Sequence, residues 1–343
     1  MLRKYKCAII GCGRIGCGFD DKPSKKIRTH AKAYFRNHAT KIVALCDIDE
    51  RKLKKYGKKY HVKNLYKDAD DMFSKENLDI LSICTLARSH LNLVKKAVNN
   101  GVQAIFLEKP ISNSLKSAKE ITEICKKNSV TLVVDHQRRF DPFYHSLKHF
   151  IKRNGIGRIH HVNIHYGGGI TNTGTHIFDI LRLIFGEVKY VSANPSLNKS
   201  VNKFDPNLEV YLKFKTGIQC FLHALDLSNY GICEMDIFGT KGRIILNLIT
   251  NKINYYVINY DNYQDYRNLK KVTSPIEESK YAFDISLGLS NLIESMEKTK
   301  KPLCDGEDGY KSLELAMGSI VSAKERSIIE IPLRNKDNII LSR

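Results

Sequence analysis

Lys6-Cys7-Ala8-Ile9-Ile10-Gly11-Cys12-Gly13-Arg14-Ile15-Gly16 is the stretch that decides the fold, because a short apolar run leads directly into Gly-x-Gly-x-x-Gly. Each glycine has a mechanical reason to be there. Gly11 permits the tight turn after the strand, Gly13 lets backbone approach a pyrophosphate, and Gly16 lets a helix sit close to the sheet. The amino end of that helix is expected to offer free N–H groups to the phosphates. Gly11, Gly13, Arg14, Ile15 and Gly16 are therefore candidate dinucleotide-binding residues. A second apolar run, Ile42 to Cys46, ends in Asp47, which is placed to accept hydrogen bonds from the adenosine ribose. Its charge would repel a 2′-phosphate, which favours NAD over NADP. One spacing departs from the pattern: Asp47 lies thirty-one residues after Gly16, where the fingerprint expects roughly twenty beyond the motif. The surplus, Cys17 to Arg28, is polar and contains Pro23, so it reads as a surface loop inserted before the first crossover helix. The plain alternative for Asp47 is a cap on the next helix.

Working outward from this motif, short apolar runs recur at Asn64 to Tyr66, Ile80 to Cys84, Ala104 to Leu107 and Leu132 to Val134. Helical stretches separate them, such as Leu91 to Asn99, stopped by Gly101, and Leu115 to Lys127, preceded by the cap-type residues Ser112, Asn113 and Ser114. That alternation is the signature of a parallel sheet covered on both faces. After Phe140 the rhythm changes. A helix over Pro142 to Arg153 is followed by strands of strict alternation: Val162, Ile164 and Tyr166 face one way, His161, Asn163 and His165 the other. The stretches Val210 to Phe214 and Ile218 to Leu222 alternate likewise, as expected for an open antiparallel sheet with one wet face. Two amphipathic helices close the chain, with stripes Ile285, Leu289, Ile293, Met296 and Leu313, Met317, Ile320. The expected fold is α/β, with an N-terminal Rossmann domain over residues 1–135 and a C-terminal α+β sheet domain over residues 136–343.

The chain has 343 residues, of which 42% are apolar, enough for a large core. No stretch approaches eighteen uninterrupted apolar residues and the start lacks a complete signal-peptide core, so no membrane association or export is expected. Nine cysteines, at positions 7, 12, 17, 46, 84, 125, 220, 233 and 304, form no CxxC pair and no Cys/His metal spacing. A reducing cytoplasm fits that usage, and no metal is expected. The net charge of +20 raises the question of nucleic acid. The lysines are instead spread along presumed helix faces, and no basic run carries interleaved aromatics. Attraction of an anionic small molecule, such as a sugar acid or nucleotide sugar, is a more economical use of the charge.

Glu108-Lys109-Pro110 follows directly on the fifth strand. With Gly11 to Gly16, His90 in the preceding strand-to-helix turn, His136-Gln-Arg-Arg-Phe140, and Asn172-x-Gly174-x-His176-x-x-Asp179, it gives the chain a pattern that resembles the glucose-fructose oxidoreductase and inositol dehydrogenase family (Gfo/Idh/MocA) over nearly its whole length. The resemblance implies a Rossmann domain followed by an open sheet domain, with substrate in the cleft between them. It also implies homodimers or homotetramers formed through the exposed sheet face. By the same resemblance Lys109 lies beside nicotinamide and substrate, and His176 works with it in proton transfer. Thr85, His90 and Glu108 are expected on the cofactor side.

The chemistry makes those residue types sensible. Oxidising a secondary alcohol removes a proton from oxygen as hydride leaves carbon, so a group that titrates near neutrality must touch the hydroxyl. Histidine does so unperturbed, and a lysine does so when burial and a positive nicotinamide ring lower its pKa. Lys109 sits at the carboxyl end of a parallel strand, where open α/β sheets bind ligands. Asn172, His176 and Asp179 are spaced to line one helix face. Asn172 departs from the inositol dehydrogenases, which carry Asp there; an amide cannot hold a proton as a carboxylate can. The Asn-x-Gly-x-His pattern is closer to relatives acting on nucleotide-linked sugars. Asp179 either orients the imidazole, with a place in the substrate site, or anchors its helix. Arg138 and Arg139 either hold a substrate phosphate or carboxylate or form an inter-domain salt bridge. His161 and His165 share a strand face and read as sheet packing rather than metal ligands.

The expected activity is thus an NAD-dependent sugar dehydrogenase or reductase acting on a CH–OH group, with a nucleotide sugar as the indicated substrate class. Two rivals stand beside it. One is an inositol or polyol dehydrogenase. The other is a non-catalytic regulatory protein sensing dinucleotide or sugar, a role that needs no proton-transfer pair.

Overall fold

The computed structural model describes residues 4–22, 25–260 and 267–334. The chain divides into two compact units. The first runs through Phe140 and takes up Phe283–Tyr310; the second comprises Asp141–Ala282 and the described residues from Lys311 on. The return of Phe283–Tyr310 to the first unit differs from the simple split after residue 135. Its cause is visible in helix Ser286–Lys298, where a Cβ added to Gly288 would lie 2.7 Å from the Phe106 ring. Only glycine lets that helix come so near the sheet, and Val134 N–H also donates to the Cys304 carbonyl at 3.0 Å.

In the first unit the elements alternate: β1 (Tyr5–Ile10), α1 (His30–Arg36), β2 (Thr40–Cys46), α2 (Glu50–Tyr60), β3 (Asn64–Tyr66), α3 (Ala69–Lys75), β4 (Ile80–Ile83), α4 (His90–Asn99), β5 (Ala104–Leu107), α5 (Leu115–Lys127) and β6 (Thr131–Val134). The six strands are parallel and ordered β3-β2-β1-β4-β5-β6, the order of a Rossmann sheet whose direction of winding reverses beside β1. β4 and β5 are buried at every residue, as unbroken apolar runs require when helices cover both faces. The helices carry the caps their sequences advertise. The Ser114 side chain accepts from Ser117 N–H at the start of α5, while Leu115, Ala118, Ile121 and Cys125 form its buried face.

The second unit holds α6 (Pro142–Lys152), β7 (Ile159–Tyr166), α7 (Gly174–Phe185), β8 (Val188–Pro195), β9 (Leu208–Phe214), β10 (Gln219–Ala224), β11 (Glu234–Gly239), β12 (Gly242–Asn247), β13 (Ile253–Ile258), β14 (Leu269–Val272), most of helix Gly306–Glu325, and β15 (Ile329–Glu330). Its nine-stranded sheet is ordered β14-β13-β12-β11-β7-β10-β9-β8-β15 and is antiparallel except where β7 meets β10. One face is core: Val162, Ile164 and Tyr166 join Leu212, Phe214, Leu222, Met235, Ile237 and Leu246 around α7. The other face bears half-exposed aromatics, with Tyr190, Tyr211 and Phe221 in a row at ring separations of 6.0 and 5.1 Å, and His161 stacked on Phe238 at 4.7 Å. His161 and His165 are thus face-packing residues; the latter lies against His223.

Candidate active site

The glycine turn has the form a dinucleotide needs. Gly11 adopts φ +96°, and a Cβ there would strike the Cys84 carbonyl oxygen at 2.6 Å. At Gly16 the clash would be with the Gly11 carbonyl oxygen, at 2.0 Å. Gly13 differs: a Cβ there would meet nothing within 4 Å. That open side is the space the pyrophosphate requires, so the motif fits the cofactor. The exposed Arg14 guanidinium lies over the Phe19 ring at 4.7 Å, and Ile15 is half-buried.

The insertion after the motif has a simple geometry. The N–H groups of His30 and Ala31, at the start of α1, donate to the carbonyls of Ile15 and Gly16. In an unbroken helix those donors would be residues 19 and 20, so eleven residues are looped out; taken from the thirty-one between Gly16 and Asp47, they leave twenty, the spacing of the ordinary fingerprint. The first crossover helix is therefore interrupted rather than displaced. Contrary to the sequence expectation, the motif opens a single turn, closed by Cys17 and Gly18 N–H on the Gly13 carbonyl, and not the long helix itself. Asp20 fastens the excursion by accepting from Arg28 N–H and the Thr29 hydroxyl; Pro23 lies outside the described residues.

Asp47 bridges the two halves of this mouth. One carboxylate oxygen accepts from Cys12 N–H at 2.7 Å and the other from Asp49 N–H at 2.8 Å. The helix cap is Asp49, whose side chain accepts from Arg51 N–H at the start of α2, so the capping alternative belongs to the neighbour. Lys52 Nζ stands 4.0 Å from Asp47. Thr85, half-buried after β4, shares a hydroxyl contact with Ser89 at 2.7 Å.

Two residues expected beside the cofactor turn inward. His90 is fully buried, with Nε2 3.1 Å from the Thr85 carbonyl and Nδ1 3.2 Å from the Ile111 carbonyl. Burial holds its pKa below the usual histidine range. Its ring ties the Thr85 turn to the Lys109–Pro110 turn and does not line a surface. Glu108 points into the interior at His30: Nε2 lies 3.1 Å from Glu108 Oε1, and His30 Nδ1 lies 2.8 Å from the Ser82 hydroxyl, itself 2.7 Å from Tyr34 Oη. Asp135, at the end of β6, stands 3.7 Å from His30 Nε2. Burial alone would raise the Glu108 pKa, but the hydrogen bond from His30 outweighs it and holds the carboxyl below its usual range. Asp135 lies well above its usual range, through burial first and the Glu108 charge second. Ligand-capable atoms of His30, Glu108 and Asp135 fall within 4.8 Å of one another. Both His30 nitrogens already serve Ser82 and Glu108, so this is a hydrogen-bonded cluster and not a cation cage. Lys109 is half-buried beside it, with its N–H donating to Glu108 Oε2 at 3.2 Å.

The second unit carries the other candidates. The loop before α7 is clamped by Asp205, which is fully buried and accepts from Thr171 N–H and Asn172 N–H, each at 2.8 Å. Asn207 accepts from Gly169 N–H at 3.0 Å. Gly169 has φ +92° and leaves no room for a Cβ, which would sit 2.2 Å from the Asp205 carboxylate. Asn172 is exposed and lies before the helix, its amide donating to the Gly168 carbonyl. His176 is half-buried on the first turn of α7, where every other residue is buried. Asp179 is fully buried and receives the Ser312 hydroxyl at 3.4 Å, so it anchors α7 to helix Gly306–Glu325. Of the three residues expected on one helix face, His176 and Asp179 belong to α7, three positions apart, while Asn172 lies in the loop before it.

The arginine pair also separates. Arg138 is half-buried with its guanidinium 5.5 Å from the Phe283 ring centroid, while Arg139 pairs with Asp308 at 3.1 Å. Arg139 and Asp308 both lie in the first unit, so this ion pair is internal to it. His30, Asp135 and Asp205 were not singled out by sequence. Asp205 has a local signal, since Asp-Pro-Asn is a turn sequence; the other two have none, because their partners are distant in the chain.

Comparison with known proteins agrees with this architecture. Residues 5–136 match a family described as "Oxidoreductase family, NAD-binding Rossmann fold", and residues 148–331 match "Oxidoreductase family, C-terminal alpha/beta domain". The chain is 25% identical to D-apiose dehydrogenase of Paraburkholderia graminis, over 96% of this chain and 90% of that protein. It is 26% identical to myo-inositol 2-dehydrogenase of Thermotoga maritima, over 95% of this chain and 98% of the relative. The WlbA dehydrogenase of Bordetella pertussis, solved with NADH and UDP-GlcNAcA, shares the fold with a TM-score of 0.78 at 21% identity, covering 96% of this chain and 100% of that one.

Proposed function

Since the chain belongs to the Gfo/Idh/MocA oxidoreductases, with their NAD-binding Rossmann domain and C-terminal α/β domain, we propose that it transfers hydride between NAD and a secondary hydroxyl of a nucleotide-linked sugar. When bound, NAD supplies the hydride acceptor. The observation that carries the cofactor assignment is the open side of Gly13, flanked by two glycines that tolerate no side chain. Asp47, already bonded to the motif at Cys12, supports NAD over NADP by repelling a 2′-phosphate.

Lys109 and His176 handle the hydroxyl proton, one as base and one as its orienting partner. Asn172 orients substrate by hydrogen bonding and holds no proton, which supports a nucleotide sugar over inositol. Arg138 binds a substrate anion in this reading, whereas Asp179 serves α7. The row Tyr190, Tyr211 and Phe221 on the open sheet face supports pairing of copies into dimers or tetramers. Among the described residues no two cysteines are joined as a disulfide, and no helix is long and apolar enough to cross a membrane. The cysteine state supports a cytoplasmic location.

The test is a substrate panel with NAD, following NADH absorbance: UDP-linked hexuronates, UDP-hexoses, myo-inositol, scyllo-inositol and D-apiose. Turnover on a UDP-sugar with none on free inositols is expected. The reverse pattern would transfer the assignment to the polyol dehydrogenases.

A further inference from the structure

We propose that His30 is a positioning residue for Lys109, acting through Glu108: the Tyr34–Ser82–His30 chain fixes the Glu108 carboxylate as one buried anion against the Lys109 turn. The inference rests on Lys109 being the proton-handling amine of the proposed reaction.

The hydrogen bonds are satisfied in one direction. Tyr34 O–H donates to Ser82, Ser82 O–H to His30 Nδ1, and His30 Nε2–H to Glu108 Oε1, at 2.7, 2.8 and 3.1 Å. Read this way Nε2 carries the hydrogen that Glu108 accepts, and Ser82 holds the other ring nitrogen in place. The remaining Glu108 oxygen accepts from Lys109 N–H at 3.2 Å. His30 is fully buried and its ring lies 4.4 Å from that of Phe106 on β5, so it cannot turn away without leaving a gap in the core. Four elements therefore converge on one carboxylate: α1 through His30 and Tyr34, β4 through Ser82, β6 through Asp135, and the Lys109 turn itself.

Electrostatics then limits how many charges the cluster holds. Glu108 faces His30, Asp135, the Lys109 ammonium, Cys84 and His90. Among the described residues neither Asp135 oxygen has a hydrogen-bond partner, and the side chain is buried beside Glu108. Two adjacent carboxylates in such a place do not both ionise. Asp135 keeps its proton and Glu108 carries the charge, stabilised by His30. A single anion then faces Lys109 and favours the ammonium; a second would hold the amine protonated too firmly to act as base.

The experiment reads Lys109 directly and needs no substrate. Lysines are reductively methylated with 13C-formaldehyde, the Lys109 signal is assigned by its loss in Lys109→Met, and its pKa is followed by NMR titration. Glu108→Gln and His30→Gln are each expected to lower that pKa by about one unit or more, while Asp135→Asn leaves it within about 0.3 unit because it replaces a neutral group. Ser82→Ala, a smaller perturbation, moves it in the same direction by less and stands in if His30→Gln does not fold. An unmoved titration in Glu108→Gln, or in both His30→Gln and Ser82→Ala, overturns the proposal, as does a downward shift in Asp135→Asn equal to that in Glu108→Gln. Failure of the catalytic reading is distinguishable: Lys109→Met would then keep its turnover whatever the titration shows.

Discussion

The Glu108–Lys109 turn of the first unit and the Gly169–Asn172 loop of the second both present polar side chains at the edge of a buried element, yet they are fastened by different physics. Around Glu108 the fastening is made of ionisable and hydroxyl side chains: His30 and, through it, Ser82 and Tyr34, with Asp135 alongside. Around Asn172 it is made of backbone N–H groups delivered to the one carboxylate of Asp205. The first arrangement sets a charge state, so it should answer to pH and to isosteric loss of charge. The second sets only a position, so it should answer to truncation.

The sharpest way to break the contrast is Asp205→Ala. It removes two charge-assisted hydrogen bonds of about 1.5–3 kcal/mol each and leaves buried donors without acceptors, so a loss of at least 3 kcal/mol is expected in denaturant unfolding. NADH affinity, a property of the first unit, should remain within about twofold by fluorescence titration, a change of less than 0.5 kcal/mol. A matching loss of NADH binding would show that the two units are not fastened independently.

A smaller effect separates the glycines of the motif. Gly16→Ala places a methyl 2.0 Å from the Gly11 carbonyl oxygen, which should cost about 1–3 kcal/mol of stability and remove NAD binding. Gly13→Ala meets open space; it should leave the melting temperature almost unchanged while weakening NAD at least tenfold, by calorimetry. Equal affinity in Gly13→Ala would mean that the pyrophosphate does not pass over Gly13.

The smallest effect is the pH response of Asp135. Its folded-state pKa is raised, so its contribution is most favourable below the ordinary carboxyl range and is lost as pH rises toward the folded value. Asp135→Asn removes that loss. Its melting temperature should gain on wild type as pH goes from 5 to 8, each unit of pKa difference being worth about 1.4 kcal/mol. A constant offset between the two proteins would mean that Asp135 ionises normally.

Much of the fold could be read from the chain because burial writes itself into local patterns. β5 is buried at every residue and so appears as an unbroken apolar run, while β7 is buried on one face and so alternates. The glycine motif is local in its spacing and in the Gly16–Gly11 contact, although the clash that Gly11 avoids is with the distant Cys84 carbonyl. The sites are less legible. His30 meets Ser82 across 52 residues and Glu108 across 78, and nothing around His30 in the chain distinguishes it from a packed histidine. Asp179 shows the converse, a motif spacing that pointed to substrate while the carboxylate meets Ser312. The long gap from Gly16 to Asp47 resolved only when the carbonyls of Ile15 and Gly16 were seen to receive the first N–H groups of α1.

The most direct measurement is kcat of Lys109→Met with the sugar that the panel identifies, alongside NADH affinity of the same protein. A fall of about 100-fold or more, in the range that a positioned general base contributes, with NADH binding unchanged, is the predicted result. A kcat near that of the wild type would contradict the account, whatever the fate of the glycine turn.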